Sequence, residues 1–498
     1  MASYARKAIH GTVTVFVLSL LAALAAYFFR LLLARKLSIE DYGLFFALFS
    51  FINLLNLFKD FGVGYAILKF IPCLVVTKKW GQIKSLIITS FVIQFISAGL
   101  LTIILIVAAP WLMEEFIHSS NTTLFVLFAW VFFISFPQNA IGVCFQGFQR
   151  MLLFSLQDLL RNVIVLTLTL LLIRFGFGIK APIWAYLAMY IIMFVFSFSI
   201  FTTQVFPKFW KVKAEISHMH FRALLMFGLP AMLSLFGTNI LQYTDTLVLT
   251  YFRGLTSVGL YQVAVPLAAL VLYFSNAASA VITPLTAELM ARKKRAMLCL
   301  GIELLHKYLL VIVIPFASLF VAFPEIFIRI FFGEKFLAAA PALQILAVGA
   351  VLCTIGYVNL NVLFGLGKPM RNTFVMGCTV ISNILLTLLL IPSYDIVGAA
   401  LATTTSYFLM LILSLNSIRK SVKIHLPIFA LARVLIAALA FIAILAIVKR
   451  ILVLNPLIEL CVSAVAGSIV YILALFVLHV ITRQDIKWLY SIIGFRLK

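Results

Sequence analysis

The chain has 498 residues, of which 64% are hydrophobic and only 11% charged, and its formal net charge is +23. A soluble domain averages roughly 45–50% apolar and about 25% charged residues, so a water-soluble fold is excluded and an all-α polytopic membrane protein is expected. The positive charge does not point to nucleic acid, because the basic residues sit in short loops between apolar runs, the pattern by which membrane topology is written.

A membrane-crossing helix needs about 20 apolar residues. With charges, prolines and polar turns as boundaries, the sequence predicts fourteen spans. The first six are 11–33, 42–70, 84–109, 122–145, 153–175 and 181–205. The next six are 222–251, 258–288, 306–332, 338–365, 370–391 and 396–418, and two more follow at 428–448 and 456–481. The first apolar run follows Arg6 and Lys7 and is longer than a secretory signal core of about 7–15 residues, so a retained helix is expected.

With the N-terminus inside, Lys and Arg fall about 25 to 10 in favour of the inside segments, which puts both termini in the cytoplasm of a cell-membrane protein. The acidic loop at 114–123 then lies outside and carries the sequon Asn121-Thr122-Thr123, where glycosylation could occur.

Within this pattern the stretch 30–72 stands out, because its second apolar segment carries Lys59, Asp60 and Lys69. A charge in hydrocarbon costs about 2.5–3.5 kcal/mol on insertion scales, so such residues usually face a bundle interior or a wet cavity. The adjacent side chains of Lys59 and Asp60 diverge, and each needs another partner. Lys69, just before Pro72, reads as snorkelling. Asp158 and Arg161 lie three apart on one helical face, where pairing with each other competes with a cavity role. Arg30 and Arg253 mark span ends, and Asp245 sits deep in span 7 behind Gln242 and Tyr243. Asn53, Asn56, Gln94, Gln138, Asn139, Gln146, Asn239, Asn276, Asn359, Asn361 and Asn383 are polar at membrane depth; they read first as interhelical hydrogen bonds and second as contacts for sugar hydroxyls.

Three weak internal matches share nearly one spacing. Tyr42-Gly43-Leu44-Phe45 is echoed by Val258-Gly259-Leu260-Tyr261, Gly147-Phe148-Gln149-Arg150 by Gly365-Leu366-Gly367-Lys368, and 179–185 by 396–402. They predict a duplicated six-span lobe whose copies enter the membrane from the same side, in parallel repeat around a central cavity. The expected organisation is a first lobe at 1–205, a basic linker at 206–221, a second lobe at 222–420, and two additional helices with a tail at 421–498.

Several classes of chemistry find no support. The six cysteines form no C-x-x-C pair and read as small buried hydrophobes. There is no G-x-x-x-x-G-K-[ST] or H-E-x-x-H motif, so no enzyme is expected. His218-Met219-His220 lacks further metal ligands. Arg292-Lys293-Lys294-Arg295 reads as a topology anchor that meets anionic lipid.

The residues quoted above also carry a family pattern. Ala34-Arg35 with Tyr42-Gly43-Leu44-Phe45, Lys59-Asp60-Phe61-Gly62, Gly147-Phe148-Gln149-Arg150, Phe227-Gly228-Leu229-Pro230 with Asp245, and Gly398-Ala399-Ala400-Leu401-Ala402-Thr403 resemble the polysaccharide-transport family. That family belongs to the multidrug, oligosaccharidyl-lipid and polysaccharide exporter superfamily. The resemblance implies two six-helix lobes around a cavity and transport of lipid-linked sugars to the outer leaflet. Fourteen spans also resemble the flippases of the peptidoglycan lipid precursor, in which two extra helices form a groove for the lipid tail; their span 1 charge pattern is absent here.

Moving such a substrate means carrying a phosphate and a glycan through about 30 Å of hydrocarbon. Arg30, Lys59, Lys69, Arg161 and Arg253 are the candidate phosphate contacts; Asp60, Asp158 and Asp245 are candidates to hold those cations or to bind a coupling sodium ion or proton. The expected function is a flippase for polyprenyl-phosphate-linked oligosaccharide that works by alternating access without a resident cofactor. Its partners would be that substrate, membrane lipids, and glycosyltransferases or a polymerase of the same pathway. A cation-coupled multidrug antiporter and a non-transporting scaffold of glycan assembly are the alternatives.

Overall fold

The computed structural model describes residues 2–215, 218–422, 428–451 and 456–480. Every regular element among them is a helix. In chain order these are α1 (Ala2–Lys36), α2 (Ile39–Asp60), α3 (Val63–Val76), α4 (Trp80–Trp111), α5 (Thr122–Gly147), α6 (Met151–Arg174), α7 (Lys180–Ile200) and α8 (His218–Arg253). There follow α9 (Leu255–Ala269), α10 (Leu272–Ala291), α11 (Arg295–Ala322), α12 (Pro324–Phe331), α13 (Ala340–Gly365), α14 (Pro369–Arg419), α15 (Ile428–Ile451) and α16 (Pro456–Val477).

The chain divides by its internal contacts into Met1–Gly259 and Leu260–Lys498. In the first unit α1 packs on α6, and α5 packs on α4 and α7. Helix α8, which follows the basic linker, is grouped with this unit because it lies along α2 and α3. In the second unit α13 packs on α10, α11 and α14, while α15 pairs with α16 and touches α11.

Ten helices among the described residues are long and apolar enough to cross a membrane, or eleven if the pair α9–α10, bent by 45°, is one span. The sequence predicted fourteen. Part of the difference is α14, which is counted once but folds back on itself. A straight helix of 51 residues would be about 77 Å long. Asn383 Nδ2 nevertheless reaches Thr403 Oγ1 at 3.4 Å, and Arg371 Nη1 reaches Ser421 Oγ at 2.7 Å. The turn is at Asp395 (φ 54°, ψ −134°), just after Pro392, and each arm has the length of a span. Helices α8 and α15 include residues whose side chains lie outside those described, and neither is among the ten.

Span 42–70, expected to be continuous, is broken. Ser38 caps α2 by accepting the Asp41 N–H at 3.0 Å, with Glu40 and Asp41 in the first turn where the helix dipole favours acids. At the far end Phe61 (φ 44°) and Gly62 (φ 70°) are both left-handed, which stops α2 and starts α3. A left-handed phenylalanine costs roughly 1–2 kcal/mol, so the surroundings must hold it. The Asp60 carboxylate accepts the Gly64 N–H at 3.1 and 3.2 Å and satisfies an orphan donor of α3. Ser97 donates to the Lys59 carbonyl at 2.5 Å. Gly62 lies against the backbone of Gly228, where a Cβ on either residue would collide with the other.

The second unit has its own buried polar chain. Ser414 donates to the Leu411 carbonyl, Asn359 Nδ2 donates to Ser414 Oγ at 3.1 Å, and Asn359 Oδ1 faces His306 Nε2 at 2.7 Å. This directionality makes Nε2 the protonated nitrogen of His306. All six cysteines are free; Cys73 and Cys461 are exposed, not buried as expected from the sequence.

Candidate functional site

Five helices of the first unit each turn one stripe toward a single cavity of about 260 Å3. Helix α1 supplies Phe29 and Arg30, and α2 supplies Phe46, Phe49, Asn53 and Asn56 at helical spacing. Phe132 and Ser135 come from α5, Arg161 and Asn162 from α6, and Tyr186 and Tyr190 from α7. Two guanidinium groups, three amides, two phenols and the Ser135 hydroxyl therefore face one space otherwise walled by six phenylalanines and a few aliphatic residues. No carboxylate lines it among the described residues.

The polar groups are held in place by their neighbours. Arg30 stacks over the Phe46 ring with its guanidinium carbon 4.4 Å from the centroid, and it donates to the Tyr42 hydroxyl. Arg161 Nη2 meets Asp158 Oδ1 at 2.6 Å; both side chains are about one-third exposed. A pair that open to its surroundings is worth only about 0.2–0.5 kcal/mol, and guanidinium has five donors, so Arg161 keeps capacity for a ligand. Asn53 Nδ2 donates to the Phe49 carbonyl and Asn56 Nδ2 to Asn53 Oδ1. Asn56 Oδ1 is buried at the end of this chain, with no protein donor among the described residues.

Lys59 stands behind the cavity wall. It is 3% exposed, its ammonium donates to Ser135 Oγ at 2.7 Å, and it lies 4.8 Å above the Phe132 ring. Ser135 in turn donates to the Phe132 carbonyl.

Of the eight residues singled out from the sequence, Arg30 and Arg161 line the cavity and Lys59 and Asp158 contact its lining. Asp60 is engaged in capping α3. Lys69 is exposed and rests 4.0 Å above the Phe227 ring, which fits snorkelling. Arg253 is exposed at the end of α8, and Asp245 is 5% exposed within α8; neither lines the cavity. Sequence reasoning missed Asn162, Tyr186 and Tyr190. The i, i+4 spacing of the tyrosines was the available signal, hidden among the aromatic residues of a lipid-facing composition. No cluster of three or more potential metal ligands occurs among the described residues, and the side chains of His218 and His220 lie outside them.

The profile of the family described as "Polysaccharide biosynthesis protein" matches residues 8–290, and the MatE profile matches residues 230–389. An uncharacterized membrane protein of Methanocaldococcus jannaschii is 30% identical over 97% of this chain and 98% of its own length. The chain belongs to the polysaccharide biosynthesis protein family. This family member is also 24% identical, over 60% of its length and 62% of the relative's, to a probable low-salt glycan biosynthesis flippase of Haloferax volcanii. Its fold is similar to that of the lipid II flippase MurJ in an inward closed conformation. The TM-score is 0.73 at 17% identity, over 94% of this chain and 98% of that one. Family membership and fold together make this polysaccharide biosynthesis protein a multi-pass membrane transporter of the multidrug, oligosaccharidyl-lipid and polysaccharide exporter superfamily.

Proposed function

We propose that this transporter flips a polyprenyl-phosphate-linked oligosaccharide from the cytoplasmic to the outer leaflet by alternating access, for glycan biosynthesis at the cell membrane. The observation that carries the reading is the chemistry of the first-unit cavity. Arg30 and Arg161 offer the bidentate donors that phosphate takes, and Asn53, Asn56 and Asn162 offer amides to sugar hydroxyls. The partly buried rings of Tyr186 and Tyr190, with centroids 6.3 Å apart in the cavity lining, offer apolar surface to a pyranose. A sodium ion or proton coupling the cycle would be held by Asp158 or Asp245. Both termini would be cytoplasmic, and the enzymes that build and polymerise the glycan would be neighbours in the same membrane.

Proteoliposomes loaded with a fluorescent lipid-linked oligosaccharide test this directly. The wild-type protein is expected to expose the glycan on the opposite leaflet. Arg30→Ala and Arg161→Ala should each slow this by at least about tenfold, the worth of one charge-assisted phosphate contact. Full-rate flipping by both variants would remove the site assignment.

The MatE match favours a second reading, a cation-coupled multidrug antiporter. That reading needs an acidic cavity for cationic drugs, whereas arginine dominates this one. Drug resistance conferred on a pump-deficient host, with no glycan flipping in vesicles, would decide for it.

A further inference from the structure

A second and larger hollow lies on the other side of Lys59. It is an open groove of about 930 Å3 in the first unit, at the upper end of the ~300–1,000 Å3 usual for ligand sites. Its walls come from α4 and the first part of α8, and Phe61 of the helix break also lines it. Val92, Ile96, Leu100, Leu225 and Leu229 are representative of the lining, and Thr89 and Ser97 are its only polar residues among those described.

Lys59 joins the groove to the cationic cavity. Its ammonium donates to Ser135, which lines the cavity, and its carbonyl accepts from Ser97, which lines the groove. Lys59 thus touches one lining residue of each hollow, just before the place where α2 breaks. The break itself puts only hydrogen atoms between the chains, since Gly62 meets Gly228 without a side chain on either. A site with cations and amides on one side of a lysine and continuous aliphatic walls on the other matches one kind of molecule, an anionic headgroup on a long apolar chain.

We propose that the α4–α8 groove seats the isoprenoid tail of the transported lipid, with its phosphate beside Lys59 and its glycan in the cavity. This rests on the flippase reading and adds to it the place of the tail. The groove's open side would let the remainder of a chain too long for it stay in the bilayer.

The experiment measures binding of two probes to purified protein in nanodiscs: a long-chain polyprenyl monophosphate and a water-soluble sugar phosphate without a tail. Ile96→Trp and Leu225→Trp fill the groove, and Val107→Trp, on an exposed part of α4 outside it, is the control. The groove-filling variants should lose at least about tenfold in affinity for polyprenyl phosphate, the worth of about two buried methylenes, and bind sugar phosphate as the wild type does. The control should match the wild type with both probes. A diazirine-bearing polyprenyl phosphate on the unmodified protein should label 88–100 and 221–229, a readout that stands even if a tryptophan variant fails to fold.

Unchanged polyprenyl phosphate affinity in both groove variants would overturn the tail site and leave the cavity reading intact. So would labelling confined to α15 and α16. A wild-type protein that binds neither probe would overturn the flippase reading and the groove with it.

Discussion

Both carboxylate oxygens of Asp60 lie within 3.2 Å of the Gly64 N–H, at the point where α3 needs an acceptor. Asp60→Ala should therefore destabilise the protein by about 0.5–2 kcal/mol, as loss of a helix cap does, while Asp60→Asn keeps an acceptor and most of the stability. Thermal unfolding in detergent reads the difference; equal melting of the two variants would count against a capping role. In the second unit, Asn359 bridges His306 and Ser414. Asn359→Leu would leave both partners buried without it and should cost about 1–3 kcal/mol by the same measurement. That Lys59 and Arg161 deserved notice followed from their charge in apolar sequence. Their division of labour did not, because Lys59 spends its ammonium on Ser135, 76 positions away in the chain, and no local pattern marks that serine.

Helix α2 is held at both ends by contacts that only glycine allows. At its start, a Cβ on Gly43 would overlap the Leu255 carbonyl, and one on Gly259 would overlap that of Ile39. These are the two glycines of the repeated Tyr42-Gly43 and Val258-Gly259 motifs, so the motif copies meet each other in the folded chain. At its end, Gly62 meets Gly228. Gly43→Ala requires backbone to move, and an overpacked contact of this sort costs about 1–3 kcal/mol. A lower melting temperature and reduced transport are expected from Gly43→Ala. Gly254→Ala has open space around it, and its penalty is only that of a left-handed backbone (φ 79°). Wild-type behaviour of Gly43→Ala in both assays would show that the contact is dispensable. The break after Asp60 falls on Lys59-Asp60-Phe61-Gly62, one of the stretches that carry the family resemblance, yet the sequence predicted a continuous span there. What hid it was hydropathy, which stays high across 42–70 whether the helix continues or stops.

For the whole chain, the predicted topology places 114–123 outside and 78–84 inside. In a cysteine-free background, Ser120→Cys should react with a membrane-impermeant maleimide on intact cells, and Lys79→Cys only after permeabilisation. The reverse pattern would invert the proposed direction of transport. Apolar spans, their approximate ends and the family all came from the linear sequence, because hydropathy and loop charge add up residue by residue along a chain confined to a bilayer. Which charges share a cavity depends on rotation about each helix axis, about 100° per residue, and on where helices break. The left-handed pair at Phe61-Gly62 and the packing of α5, α6 and α7 against α1 and α2 therefore chose Arg30 and Arg161 for the cavity, Asp60 for a helix cap and Lys69 for the periphery. Those choices are made between segments distant in sequence, and only the folded chain brings them together.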